Sequence, residues 1–349
     1  MNLFELTRNL IDVPSVTGSE AEVGLFLVSY LQSLNYTVDI QRVAEGRANI
    51  FATLGTPPRV MLSTHMDTVA PHISSSEDDD HIYGRGACDA KGIIAAQIAA
   101  AEQLRAEGTI GVGLLFTVDE EASSGGALAA NNHPLARSCE YLINGEPTDN
   151  RLALGSKGSL RLKIKAEGRA AHSAYPEYGE SAIEKLLDVL ADVRQCKWPT
   201  DEFFGSTTCN IGTIKGGVAA NVIAPAAQAV LQIRLVKPSE TVKSLLEVTV
   251  GGRAQVEYLS VAEPVRLIEV EGFAPCIVSF TTDIPHLVSW GSPLLLGPGS
   301  ILVAHTDGER VSKRELSEAV HLYAGLVRTL LARAPRDTHF SSASGAAER

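Results

Sequence analysis

The chain has 349 residues, a formal net charge of −11, 45% hydrophobic residues and 20% charged ones. That length exceeds what one core commonly spans, so two domains are expected. The acidic balance excludes a basic nucleic-acid surface, and no apolar run is long enough to cross a bilayer as a helix, so neither nucleic acid nor membrane is an expected partner.

The first 36 residues read as two amphipathic helices broken at Pro14. They lack a charged start followed by an apolar block and a cleavage site, so no secretion signal is expected. The cysteines at 88, 139, 196, 209 and 276 form no CxxC pair. A disulfide scaffold or thiolate zinc knuckle is therefore not expected, and a cytoplasmic location is.

From Arg59 apolar runs alternate with helical stretches. "RVMLSTH" (59–65), "GVGLLFTVDEE" (111–121) and "YLINGEP" (141–147) read as strands, and "KGIIAAQIAAAEQLRAEG" (91–108) as a helix ending at Gly108. Strands alternating with helices predict an α/β fold, a doubly wound and mostly parallel sheet with its ligand crevice beyond the carboxyl ends of the strands.

After about Leu154 the texture changes. "SLRLKIKAEGRA" alternates as a sheet with one wet face does, and a helix, two strands, a helix from about Ser239 and the strand "AQVEYLSV" follow. Strand–helix–strand–strand–helix–strand is the ferredoxin-like α+β order. Past Pro264 the first texture returns, with "SPLLLGPGS" and a closing helix over 312–333. The expected layout is one domain from residues 1–153 and 265–335, an inserted domain at 154–264, and a frayed polar tail at 336–349.

Chemistry-bearing residues collect at the predicted strand ends. His65 and Asp67 close the first strand, and alternation along a strand places residues i and i+2 on one side. Asp89 precedes the long helix, Glu120 and Glu121 end the next strand, Glu146 the next, and His305 follows the last. Carboxylates converging on one edge repel unless cations lie between them, and two imidazoles with carboxylates and no thiolates suit zinc or a similar ion. Charge favours two ions: their four positive charges balance three carboxylates and a hydroxide. Glu120 and Glu121, as neighbours in an extended segment, point opposite ways, so one can ligate while the other acts as a base. A nucleotide reading of "GRGACDAKG" fails because Asp89 stands where a third glycine belongs and would repel a pyrophosphate.

The motifs "HMDTVAP", "GRGACDAKG", "DEEASSGG", "NGEPT", "GRAAHSAYP", "GGVAANVIAP" and "VAHTDGE" stand in family order between residues 65 and 309, within a match that runs from near residue 1 to about 333. In this the chain resembles the di-zinc amidohydrolase and exopeptidase family of acetylornithine deacetylase, succinyl-diaminopimelate desuccinylase, aminoacylase and glutamate-releasing carboxypeptidases. The resemblance implies a metal-dependent exopeptidase type of sheet carrying two Zn(2+), for which Co(2+) or Mn(2+) substitutes. It puts one ion on His65 and Glu146, the other on Glu121 and His305, and Asp89 between them. It makes Asp67 the brace of His65, Glu120 the general base, and the insert a lid and homodimer interface. It also implies that His172 stabilises an oxyanion in its own or the partner subunit's site, and that Asn221 and Arg234 hold a substrate carboxylate. Backbone donors near Gly299 would face the substrate. The expected reaction is hydrolysis of an amide in a small N-acyl amino acid or short peptide, with N-acetylornithine foremost. Desuccinylation, acetyl-lysine or acetylcitrulline deacetylation and dipeptide cleavage stay open, as do a single-metal enzyme and a non-catalytic, metal-stabilised binding protein.

Overall fold

A computed structural model describes residues 1–334; the tail expected at 336–349 lies outside the described residues. These fall into two compact units, one from Met1–Asn150 together with the segment from Leu287 onward, the other Arg151–His286.

In the first unit the helices Leu3–Asp12 and Ala21–Ser33 flank Pro14. The first starts on the Asn2 side chain, which accepts the Glu5 N–H at 2.9 Å. A sheet follows in which Thr37–Ala44 and Arg47–Thr53 form an antiparallel edge, and Arg47–Thr53 runs antiparallel to Val112–Thr117. Beyond that edge Val112–Thr117, Val60–His65, Tyr141–Asn144 and Ser292–Leu295 are all parallel neighbours. Strands buried on both faces read as unbroken apolar runs, and Val60–His65 is buried at every position.

Register puts Phe51, Met61, Leu115 and Leu142 in one cluster with Ala127, Ala130 and Trp290. Each large side chain there contributes about 2 kcal/mol by leaving water. The helices Lys91–Ala106 and Lys313–Leu331 pack on each other and on the Val60–His65 strand. Lys91–Ala106 is buried almost all round, and its alanines allow that close approach. Because the four neighbouring strands are parallel, the residues that follow them leave the sheet at one rim.

The strand expected over 111–121 ends at Thr117. Asp119 takes a positive φ of 72° and its carbonyl accepts the N–H of Ser123 and Ser124 at 3.1 and 2.7 Å, which turns the chain. Glu120 and Glu121 therefore sit in a turn, and strand alternation does not set their directions.

The second unit holds a four-stranded antiparallel sheet in the order Thr208–Gly216, Ala226–Leu235, Gly158–Glu167, Gln255–Ala262. The helices Ala182–Gln195 and Ser239–Val250 cover one face, where Leu160, Leu162, Leu186, Val189, Leu231 and Leu246 are buried. This is the expected ferredoxin-like arrangement. The same unit contains Leu152–Ser156, paired with Val265–Arg266 and Pro275–Val278, so it continues past residue 264 to His286.

Candidate functional site

His65 ends its strand with the ring buried. Its Nδ1 meets the backbone carbonyl of Asp67 at 2.9 Å, which sets that nitrogen as the N–H donor and leaves Nε2 to face Asp89 Oδ1 at 3.0 Å. The Asp67 carboxylate stands at 3.5 Å from Nδ1. Its oxygens are engaged elsewhere: they accept the Thr17 hydroxyl at 2.8 Å and the backbone N–H groups of Glu120 and Glu121 at 3.1 and 3.2 Å.

Asp89 is 5% exposed and lies between two imidazoles. Its Oδ1 is the oxygen on His65, and its Oδ2 stands 3.2 Å from His305 Nε2. The same His305 nitrogen lies 2.8 Å from Glu121 Oε1. His305 has a positive φ of 63°. Donor atoms of His65, Asp89 and Glu121 all lie within 4.8 Å of one another. Glu146, 4% exposed, follows the Tyr141–Asn144 strand, and its charge reaches His65.

Electrostatics tests whether this donor set suits cations. Burial alone would push the His65 imidazole down, yet Asp67, Asp89, Glu146 and Glu120 together raise it well above its ordinary value. Hydrogen bonds to Asp89 and Glu121 push His305 up to about 10. Burial disfavours the Asp89 carboxylate, but the two imidazoles outweigh it and hold the group well below the usual carboxylate range. A field that keeps protons on two imidazoles is one that favours divalent cations in their place, so the residues present fit a divalent metal.

The Glu120–Glu121 turn has its own support. The Asp119 carboxylate accepts Arg47 Nη2 at 2.7 Å, the Gly125 N–H at 3.1 Å and the Ser123 hydroxyl. Gly299, at φ 85°, sits where a Cβ would come within 2.5 Å of Cys88 Cβ, and its carbonyl accepts the Asp149 N–H at 2.8 Å. Close packing against the residue before Asp89 is therefore a physical reason for glycine there.

The segments that carry two expected residues, His172 and Asn221, meet in the second unit. The Ser173 N–H donates to the Asn221 carbonyl at 3.0 Å, and His172 bridges to Val222. The Ala174 N–H donates to His172 Nδ1 at 3.2 Å, so a neutral ring carries its proton on Nε2. Arg234 lies away from them in sequence, on the strand Ala226–Leu235, half-buried, with Nη1 at 3.4 Å from the Thr281 hydroxyl. Burial lowers the pKa of its guanidinium, and among the described residues no charged partner offsets that.

The sequence reading does not single out Thr17, Arg47, Arg85 or Glu309. Arg85 and Glu309 lie inside quoted motifs, but only the fold brings them together, as a buried ion pair at 2.6 Å.

Comparison with known proteins agrees with this architecture. The family described as the M20-type "Peptidase dimerisation domain" matches residues 154–250. A tripeptidase from Staphylococcus aureus subsp. aureus Mu50 superposes with a TM-score of 0.78 at 21% identity, over 93% of this chain and 98% of that one, which establishes a shared fold. A probable carboxypeptidase of Aspergillus niger is 38% identical over 94% of this chain and 90% of its own length. A Schizosaccharomyces pombe protein described as M20 peptidase domain-containing is likewise 38% identical, over 93% of this chain and 84% of its own length. With such identity along nearly the whole chain, and a parallel sheet that gathers imidazoles and carboxylates at one rim, the chain belongs to the M20 peptidase family.

Proposed function

We propose that this protein hydrolyses an amide bond next to a free carboxylate, as a metal-dependent carboxypeptidase. The observation that carries the reading is Asp89, whose two carboxylate oxygens face His65 and His305 at 3.0 and 3.2 Å. The relatives named as probable carboxypeptidases support a peptide substrate. Deacetylation of an N-acyl amino acid such as N-acetylornithine is the second reading, favoured by "TTDIPHL" and "VAHTDGE". Both substrates share an amide beside a carboxylate.

In this reading His65 and Glu146 hold one ion, Glu121 and His305 the other, and Asp89 serves both. Zinc is the proposed metal, with cobalt or manganese able to replace it. When bound, such cations polarise the scissile carbonyl and make water acidic enough to attack near neutral pH. Glu120 takes the proton from the attacking water and delivers it to the departing amine. Asp67 keeps His65 in the tautomer that presents Nε2. His172, with its proton on Nε2, donates to the developing oxyanion. Arg234, half-buried and without a charged partner among the described residues, pairs with the substrate's carboxylate, and Asn221 adds an amide contact. The backbone at Gly299 lines the substrate side. The match at residues 154–250 supports a homodimer formed through the inserted domain.

A hydrolysis panel tests this: dipeptides and tripeptides, N-acetylornithine, N-acetylcitrulline and N-succinyl-diaminopimelate, each with chelator and with zinc or cobalt restored. Turnover that needs the metal and a free terminal carboxylate supports the proposal. Turnover unchanged by exhaustive chelation contradicts it.

A further inference from the structure

Arg85 and Glu309 are two buried charges that the proposed chemistry leaves unused. Arg85 is 2% exposed and Glu309 1%. Burying two charges gains little stability over a well-packed apolar pair, so the reason for the pair lies in where its donors and acceptors point.

They point at the loops carrying two proposed ligands. Arg85 Nε donates to the Pro71 carbonyl at 3.2 Å. Its Nη1 donates to Glu309 Oε2 at 2.6 Å and to the carbonyl of Thr306, the residue after His305, at 3.1 Å. The other Glu309 oxygen accepts the backbone N–H of Gly86 at 2.9 Å and of Asp89 itself at 3.3 Å. The Glu309 carbonyl accepts the Gly84 N–H at 3.1 Å. A single salt bridge thus joins the segments 84–89 and 306–309, with the Asp89 amide on one side of it and the carbonyl of Thr306, the neighbour of His305, on the other. Two methylene-rich side chains could fill that volume, but they could not satisfy these amides and carbonyls.

We infer that Arg85 and Glu309 are positioning residues that fix the spacing of Asp89 and His305, and so set the affinity of the centre for its second cation. This rests on the metal reading above. Neither residue touches the reacting atoms.

The test compares the full-length wild type with Arg85→Lys, which keeps the charge but not the planar fork, and Glu309→Gln, which keeps the shape but not the charge. Asp89→Asn is the control. Metal-free proteins are titrated with Co(2+) against a competing chelator, the visible spectrum of the cobalt form is recorded, and urea unfolding reports fold. Loss of an outer contact to a metal ligand typically weakens binding about 10- to 100-fold, and that loss, with an altered cobalt spectrum, is expected for both variants. A purely structural role would lower the urea midpoint and leave the cobalt affinity and spectrum of the folded protein as in the wild type. That result in both variants, or in whichever folds, overturns the inference. If Asp89→Asn also binds cobalt as the wild type does, the metal reading falls with it. If Asp89→Asn alone loses cobalt, only the positioning role falls.

Discussion

Asp67 accepts the backbone N–H of Glu120 at 3.1 Å while its own carbonyl orients His65 Nδ1 at 2.9 Å. One residue thus ties the end of the Val60–His65 strand to the turn that carries the proposed base. Removing its carboxylate leaves three donors, from Thr17, Glu120 and Glu121, without their acceptor. Asp67→Ala is expected to lower kcat by about 10- to 100-fold, with a smaller change in KM, since the geometry of the base is disturbed more than the binding of substrate. Steady-state kinetics on the best substrate of the panel checks this, and an unchanged kcat argues against the clamp.

Glu120→Gln keeps the size of the side chain and removes its basicity. Turnover is expected to fall by at least about 100-fold, the usual contribution of a positioned base, while cobalt binding stays at the wild-type level. Loss of cobalt together with activity would mean that Glu120 is a ligand and would end its assignment as the base.

The pH dependence follows from the imidazoles. In the metal-free protein Asp89 and Glu121 raise His305 to about 10, above the unfolded value near 6.5. The stabilisation from its charged form is fully present below about pH 6.5 and is lost as the pH rises through about 10. Cations compete for the same site with that proton, so metal affinity is expected to rise with pH across this window, with proton release on binding. Calorimetric titration with zinc in two buffers of different ionisation enthalpy measures the protons released. A binding enthalpy independent of the buffer contradicts the expectation, and His305→Ala is expected to lower the release, with His65 supplying the remainder.

Gly299→Ala adds a methyl group 2.5 Å from Cys88 Cβ at a φ of 85°. Strain and overpacking together are expected to cost about 2 kcal/mol, read from urea unfolding of the metal-free protein. If stability is unchanged and only KM rises, Gly299 acts through substrate contact and not through packing.

Much of the layout was legible because buried parallel strands read as unbroken apolar runs. "RVMLSTH" and "YLINGEP" delimit the Val60–His65 and Tyr141–Asn144 strands closely, and "SLRLKIKAEGRA" alternates as the half-wet strand Gly158–Glu167 does. His65, Asp89, Glu121 and His305 meet because four parallel strands deliver their trailing loops to one rim. What the one-dimensional pattern misses is contact between loops. The positive φ at Asp119 ends a strand that apolar periodicity alone would extend, since "DEE" carries no glycine or proline to mark the turn. The reach of Asp67 to the Glu120 amide, and of Arg85 to Thr306, joins residues 53 and 221 positions apart. Such pairings depend on tertiary register, and no spacing rule encodes them.

The most direct test of the central claim is anomalous diffraction from crystals grown with zinc or cobalt. The account predicts two strong peaks about 3.5–4 Å apart, one on each side of the Asp89 carboxylate, with His65 and Glu146 on one and Glu121 and His305 on the other. Peaks elsewhere, or none at Asp89 under saturating metal, would contradict it.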